Sequence, residues 1–263
     1  MTVYVKEKAE FLREAIDSML GQTVKPSEFV LVEDGPLTDE LYSVIAEYKK
    51  NPIFKIVTLK KNQGLGLALR RGIKECSNDL IARMDSDDYS KNDRMEKQLR
   101  ILEKDPDLDI IGSNIDEFTE KHTNVKCHVI LPENNDKIVS YSKKRCPFRH
   151  SAILYKKQAV LRAGNYRHYY LFEDYDIYIR MIRSGAKSYN IQEPLTYVRV
   201  SDDFFKRRGG IKYAKSIIKF KTEQLKTGYF SIKDYLISMP AHVFVCLMPN
   251  TIRDFIYRKI LRG

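Results

Sequence analysis

Ile81-Ala82-Arg83-Met84-Asp85-Ser86-Asp87-Asp88 is the stretch on which the reading of this chain turns. An apolar run ends there in three carboxylates within four residues. Open α/β sheets bind ligands at the carboxyl ends of their strands. Carboxylates this close repel one another, and a cation among them relieves the repulsion. A hard divalent ion that also binds a diphosphate meets that need. Asp85-Ser86-Asp87 is therefore a candidate DxD site for Mn²⁺ or Mg²⁺ and a nucleotide-diphosphate donor. A solvated loop or a helix cap is the plain alternative for any short acidic cluster.

Upstream of this stretch, strands and helices alternate. Thr2 to Val5 reads as a short strand. Phe11, Leu12, Ala15, Ile16, Met19 and Leu20 recur at helical spacing, which predicts a helix over 8–20. Phe29 to Val32 is a buried strand that stops at the turn Glu33-Asp34-Gly35-Pro36. Leu41, Val44, Ile45 and Tyr48 mark a second helix, Ile56 to Leu59 a third strand, and Gly64 to Cys76 a third helix. Leu80 to Met84 is the fourth strand. Repeated strand–helix–strand units predict a parallel, Rossmann-like sheet with right-handed crossovers. Asp34 and Asp85/Asp87 would then converge at one sheet edge. The glycines Gly64 and Gly66 complete neither GxGxxG, whose third position is Leu69, nor a P-loop.

Downstream, Met95 to Lys104 reads as a helix and Ile110 to Gly112 as a strand. Residues 114–145 read as polar strands and loops, and Ser151 to Tyr155 as a strand. Phe172 to Ser184 is a patterned helix with Tyr175, Ile179 and Ile182 on one side. It opens with Glu173-Asp174, where the helix dipole favours negative charge. Leu195 to Val200 is a last strand. From Lys206 the chain turns basic and helical, and Arg253, Arg258, Lys259 and Arg262 alternate with Ile252, Phe255, Ile256, Ile260 and Leu261. The predicted organisation is an α/β domain over 1–205, with a nucleotide-binding half (1–94) and an acceptor half (95–205). A basic amphipathic tail follows over 206–263.

Composition narrows the class of protein. The chain has 263 residues, 43% of them hydrophobic, which allows a real core. The net charge of +11 favours a polyanionic partner: nucleic acid, anionic lipid or a phosphorylated substrate. Cys76, Cys127, Cys146 and Cys246 lack CxxC spacing and read as reduced thiols. No signal peptide is expected, since the N-terminus lacks an apolar h-region. The longest apolar window, Tyr235 to Met248, is too short to span a bilayer and is broken by Pro240 and His242.

Several motifs in order resemble bacterial glycosyltransferase family 2, of GT-A fold, and most of all its capsule and exopolysaccharide branch of amylovoran-type sugar transferases. They are Val3-Tyr4, Gln22-Thr23, Glu33-Asp34-Gly35, Asn62-Gln63-Gly64-Leu65-Gly66, Ala82 to Asp88, Glu173-Asp174-Tyr175-Asp176 with Arg180, and Arg207-Arg208-Gly209-Gly210. The likeness runs from residue 3 to 212. It implies an inverting transfer of a sugar from a nucleotide-diphosphate donor, expected to be UDP-linked, to a hydroxyl of a saccharide or lipid-linked saccharide acceptor in surface-polysaccharide synthesis. Val3, Tyr4, Glu7, Asp34, Arg83 and Asp85 would hold the nucleotide sugar, with Asp34 accepting a hydrogen bond from a uracil-type base. Asp87 would ligate Mn²⁺ or Mg²⁺ on the diphosphate, and Asp174 would be the general base. Glu173, His150, Arg207 and Arg208 would serve the acceptor or the diphosphate. Three features depart from the family. The first strand is expected to be short, because the family carries several strand residues before Val-Tyr. Asn is missing from Cys146-Pro147-Phe148-Arg149-His150, and Arg70 replaces an Asn. The last two bear on donor or acceptor preference rather than on the chemistry.

Such a transfer needs a base, which contributes about 10²–10⁴-fold. It also needs a cation at the leaving diphosphate and an acceptor held in line. Asp174, the Asp85/Asp87 site and the groove between 146 and 176 would supply them. Each residue also has a plainer reading. Asp174 and Glu173 serve equally as helix-dipole partners, Asp34 as a turn residue, His150 as a satisfied histidine, Asp88 as a helix cap, and Arg207-Arg208 as a solvated face or a loop closing on a diphosphate. Two rival functions remain. A sugar-nucleotide nucleotidyltransferase would want a Gly-rich loop after the first strand, and Tyr4 to Lys8 has none. A non-enzymatic polyanion binder would not place carboxylates at successive strand ends, so no nucleic-acid partner is expected. The basic tail suits an anionic membrane surface, which predicts a cytoplasmic protein peripheral to the inner face of the cell membrane. Homo-oligomerisation is left open by the sequence.

Overall fold

The computed structural model describes residues 1–200, 208–249 and 252–253. A first, three-stranded sheet joins β1 (Thr2–Val3), β2 (Phe29–Glu33) and β3 (Phe54–Thr58), all parallel, in the order β1-β2-β3. β2 is buried along its whole length, as a strand covered on both sides must be. Its Phe29 and Leu31 pack with Leu12, Ile16 and Met19 of α1 (Ala9–Leu20) and with Leu41, Val44 and Ile45 of α2 (Asp39–Tyr48). Val30 and Val32 turn the other way, to Ala68 of α3 (Leu65–Glu75). Truncating fully buried Leu31 to Ala should cost about 2–5 kcal/mol, a transfer term plus a cavity.

The second sheet is mixed. Its order is β4 (Leu80–Ala82), β8 (Leu154–Lys156), β6 (Leu108–Phe118), β9 (Lys187–Arg199) and β5 (Tyr89–Ser90), with β7 (Val125–Val129) on β6. The α/β class is as expected, but β4 does not continue the parallel sheet. It pairs antiparallel with β8, Leu80 opposite Lys156 and Ala82 opposite Leu154. Only β6 and β9 run parallel here. One apolar core still joins the sheets, because Met84, Leu108, Ile111 and Leu154 pack with Val3, Leu12 and Leu31. α4 (Arg94–Lys104) adds Met95 to that core.

Three elements differ from the sequence reading. β6 continues through polar but buried Ser113, Asn114, Asp116 and Glu117. β9 passes Pro194, which cannot donate to a ladder. The pairing absorbs it by a register shift, with Ser113 opposite Ile191 and Asn114 opposite Pro194. Residues 135–142 form α5 (Asn135–Ser142), whose Asn134 side chain accepts from Lys137 N at 3.1 Å. α6 (Lys157–Arg162) follows β8, and α7 (Glu173–Arg183) fills the predicted position.

The basic tail is helical where it is described, as α8 (Gly210–Lys226) and α9 (Ile232–Leu247). α8 is built into the domain rather than appended to it. Tyr213, Ala214, Ile217 and Phe220 pack with Phe172, Tyr175 and Ile179, and the Phe220 ring lies 4.7 Å from that of Tyr175. Ile217 and Phe220, apolar residues of the predicted amphipathic tail, are therefore core. α9 begins with a reciprocal cap between Ser231 and Asp234. It buries Cys246 and leaves Ile232, Leu236, Ile237, Phe244 and Leu247 exposed. Phe255, Ile256, Arg258, Lys259, Ile260, Leu261 and Arg262 lie outside the described residues. No described helix is long and apolar enough to cross a membrane.

Candidate active site

The acidic cluster leaves β4 on a scaffold of buried arginines. Arg83 is buried and both Asp85 oxygens face its guanidinium. Burial opposes the Arg83 charge, but Asp85 beside it outweighs that and raises its pKa. Arg94 is wholly buried and donates to Arg83 O and Ile153 O, both at 3.0 Å, and to Ser151 O at 2.8 Å. Burial lowers its pKa to about 9. Arg199 of β9 closes the other side. Its Nε donates to Asp87 O at 2.9 Å, and its guanidinium lies 3.7 Å from the Phe11 ring centre. Asp88 Oδ1 accepts from Arg199 N at 2.8 Å, so Asp88 ties the loop to β9. The helix-cap reading of Asp88 is thereby corrected: α4 starts after Asp93.

Asp87 itself is half-buried, and among the described residues it forms no ion pair. Its pKa is raised to about 7, by burial first and then by Asp85 and Glu7. Glu7 is drawn in by a hydrogen bond from Ser86 Oγ. This is an all-oxygen donor set with surplus negative charge, which fits a hard divalent cation. Among the described residues no three His, Cys, Asp or Glu side chains gather as a metal cage. A cation at Asp87 would take its remaining ligands from a diphosphate and water, the usual arrangement for Mg²⁺.

Asp34 sits at the end of β2, and its carboxylate is already engaged. Oδ1 accepts from Gln63 N at 2.7 Å and Oδ2 from Gly64 N at 3.0 Å, while Asn62 Nδ2 donates to Asp34 O at 3.1 Å. Asp34 thus folds the Asn62-Gln63-Gly64 loop onto the strand end and keeps one lone pair on each oxygen for a ligand. That loop leads into α3, where Gly66 lets α3 approach the start of α7. A Cβ on Gly66 would stand 2.3 Å from Arg167 O and 3.2 Å from Glu173 Cβ.

Glu173 and Asp174 open α7 and face different neighbours. The Glu173 pKa is raised to about 7, by burial first and then by Asp174; Arg83 and Asp85 also act on it. Burial raises the Asp174 pKa as well, and the cations opposing it are Arg208, Arg83 and Arg149. Arg83 thus acts on both carboxylates, Asp85 on Glu173, and Arg208 and Arg149 on Asp174. Asp174 Oδ1 accepts from Tyr175 N at 2.6 Å, and Cys146 Sγ lies 4.0 Å from Oδ2. Asp176, in the same motif, is fully buried and spent on Arg167 (2.8 Å) and Arg180 (2.7 Å), as a strut for the turn.

The other expected residues are placed as follows. The Val3 side chain is core, and its carbonyl accepts from Asp34 N at 2.8 Å, so it supports Asp34 rather than a ligand. Tyr4 is partly exposed at the end of β1, and its carbonyl accepts from Glu7 N at 3.0 Å. His150 Nε2 pairs with the Tyr166 hydroxyl at 2.9 Å, and burial pulls its pKa well below the usual range. Its hydrogen bond is satisfied by Tyr166, and Arg83 adds to the downward pull. Arg208 is half-buried on the Asp174 side, and Arg207 lies outside the described residues. Sequence reasoning missed Arg94 and Arg199. The one signal for Arg199 was a charge set between Val198 and Val200 in a strand.

Comparison with known proteins bears on this geometry. The family model described as glycosyl transferase family 2 matches residues 1–169. The UDP-Gal:alpha-D-GlcNAc-diphosphoundecaprenol beta-1,3-galactosyltransferase of Escherichia coli is 38% identical over 262 residues, covering 100% of this chain and 95% of the relative. The amylovoran biosynthesis glycosyltransferase AmsE of Erwinia amylovora is 32% identical over 266 residues, covering 100% and 98%. Among solved structures, the mannosyltransferase PcManGT of Pyrobaculum calidifontis with GDP-Man and Mn²⁺ superposes with a TM-score of 0.65 at 14% identity, covering 92% of this chain and 68% of that one. TarS 1-349 of S. aureus with UDP-GlcNAc gives 0.60 at 15%, covering 82% and 66%. These two share the fold.

Proposed function

The chain belongs to glycosyl transferase family 2 and is a glycosyltransferase; from that premise we propose that it transfers a sugar, with inversion, from a UDP-linked donor to a hydroxyl of a lipid-linked saccharide in surface-polysaccharide synthesis. The observation that carries the reading is the opposed pair of sites: Asp85 and Asp87 at the end of β4, and Asp174 on the far side of Glu173 at the start of α7. The E. coli relative, named for a UDP-Gal donor and a diphosphoundecaprenol-linked acceptor, supports the substrate classes. Asp34 accepts from the base, and Tyr4 and Glu7 border the same strand ends. Asp87 would hold a divalent cation, Mn²⁺ or Mg²⁺, which would supply charge neutralisation for the departing diphosphate. Arg83 keeps Asp85 oriented, and Arg199 keeps the Asp87 backbone in place.

Asp174 takes the proton of the acceptor hydroxyl. Its raised pKa brings it closer to working pH, which improves a general base. Glu173 faces the donor end and tunes the field there. The first half of the chain reads the donor and the second half the acceptor. The exposed apolar stripe of α9 meets the anionic leaflet that carries the acceptor. The experiment is a screen of nucleotide sugars, UDP-galactose included, against an N-acetylglucosaminyl diphosphate bearing a short alkyl chain. UDP release that requires both acceptor and Mn²⁺ is the expected result. Pyrophosphate release in place of UDP, or full turnover in EDTA, would overturn the reading.

A further inference from the structure

The segment before His150 is clamped against the base. Cys146 Sγ is 4.0 Å from Asp174 Oδ2 and 3.4 Å from Phe148 O. Asn190 Nδ2 donates to Pro147 O at 3.1 Å, and the Phe148 ring meets that of Tyr178 at 4.9 Å. Arg149 comes next, at the head of a short 3-10 turn, His150–Ala152. Its carbonyl accepts from Ala152 N at 3.0 Å, so its backbone is fixed. Its side chain is half-buried and forms no ion pair with a described carboxylate. Asp174 acts on it only at a distance, and a half-buried guanidinium without a direct partner is costly until an anion completes it.

We propose that Arg149 binds the diphosphate of the acceptor. The inference rests on the reading above that the acceptor sugar is carried on a lipid diphosphate. Two diphosphates in one site need separate counter-charges. The carboxylates Asp85 and Glu7 beside Asp87 would meet the donor diphosphate only through a divalent cation. The cations acting on Asp174 are Arg208, Arg83 and Arg149, and Arg83 is already paired with Asp85. Arg149 is left for the acceptor diphosphate. A planar guanidinium fork matches phosphate oxygens. The lipid has a path away from this point: the His242 ring of α9 lies 6.2 Å from that of Phe172, the residue before Glu173, and α9 carries the exposed apolar stripe.

The test compares two acceptors, the alkyl-bearing N-acetylglucosaminyl diphosphate and the matching phosphate-free alkyl glycoside. The readout is their ratio of kcat/KM in wild type, Arg149→Ala and Arg149→Lys. Wild type should prefer the diphosphate. Arg149→Ala should cut that preference by about 10- to 100-fold through KM, the range of a lost charge-assisted hydrogen bond. Arg149→Lys, which keeps the charge without the fork, should fall between. Lys74→Ala, a remote exposed cation on α3, should leave the ratio intact. An Arg149→Ala enzyme that loses activity on both acceptors equally, with the preference preserved, overturns the subsite and leaves the lipid-diphosphate reading standing. A wild type with no preference overturns both.

Discussion

Replacing Asp87 by Asn should abolish transfer and also make the cation-free fold more stable at alkaline pH. The carboxyl ionises near 3.8 in an unfolded chain, and its pKa is raised to about 7 in the folded one. Between those values the folded state keeps a proton that the unfolded chain has released. Stability therefore falls as pH rises through that window, and above pH 7 the whole penalty is present. A shift of about three units corresponds to about 4 kcal/mol as an upper bound. Side-chain relaxation and entering water reduce this to about 1–2 kcal/mol. Asn keeps the shape and never ionises. In EDTA at pH 8, Asp87→Asn should melt about 3–8 °C above wild type. At pH 4 the two melting temperatures should converge. Mn²⁺ should raise the melting temperature of wild type and not of the variant. Differential scanning calorimetry at the two pH values measures all of this. A variant that melts with or below wild type at pH 8, or gains as much at pH 4, refutes the argument that Asp87 is held ionised against its neighbours.

Asp174→Asn should lower kcat by about 10²-fold or more, with donor affinity little changed. In wild type, kcat/KM should fall as pH drops through the raised pKa of Asp174; if the limb instead sits near pH 7 and vanishes in Glu173→Gln, the base is Glu173. Asp34→Asn can present only one of the two acceptor oxygens that Gln63 N and Gly64 N now use, so the loop should loosen and UDP should lose its advantage over CDP. Calorimetric titration of both nucleotides checks this, and equal wild-type affinities would remove Asp34 from base recognition. Leu236→Glu with Phe244→Glu places charge on the exposed α9 stripe and should abolish co-sedimentation with anionic vesicles at low salt; undiminished binding would mean that lipid is met elsewhere.

The carboxylates were legible in the sequence because strand ends and acidic clusters are local signals. The run into Asp85-Ser86-Asp87 and the patterned helix behind Glu173-Asp174 each declare themselves within a dozen residues. What holds them was not legible. Arg94 and Arg199 look like ordinary surface charges in sequence, and only tertiary packing makes one a buried clamp and the other an aromatic sandwich. The last strand reads from Leu195 in the sequence, whereas β9 starts at Lys187 and passes Pro194 by a register shift against its partner β6. The sequence reads 206–263 as one basic amphipathic tail. α8 and α9 divide its apolar residues, one burying its share against α7 and the other leaving its share in solvent.

The bond from Arg199 to the Asp87 carbonyl spans 112 positions of chain. Every carboxylate of the cluster has left the ribosome once residue 88 emerges, and Glu173-Asp174 follow before β9 does. A nascent chain that ends within α7 carries all the acidic groups and lacks the strand that fixes the loop. Closing so distant a contact is slow, because the entropy of the intervening chain is lost before the contact stabilises anything. Assembly is therefore ordered: the parallel sheet, built from near neighbours, forms early, and the acidic loop is shaped only when β9 docks beside β6. A chain cut before β9 is expected to hold the acidic loop loosely, since it lacks the Arg199 that fixes the Asp87 carbonyl.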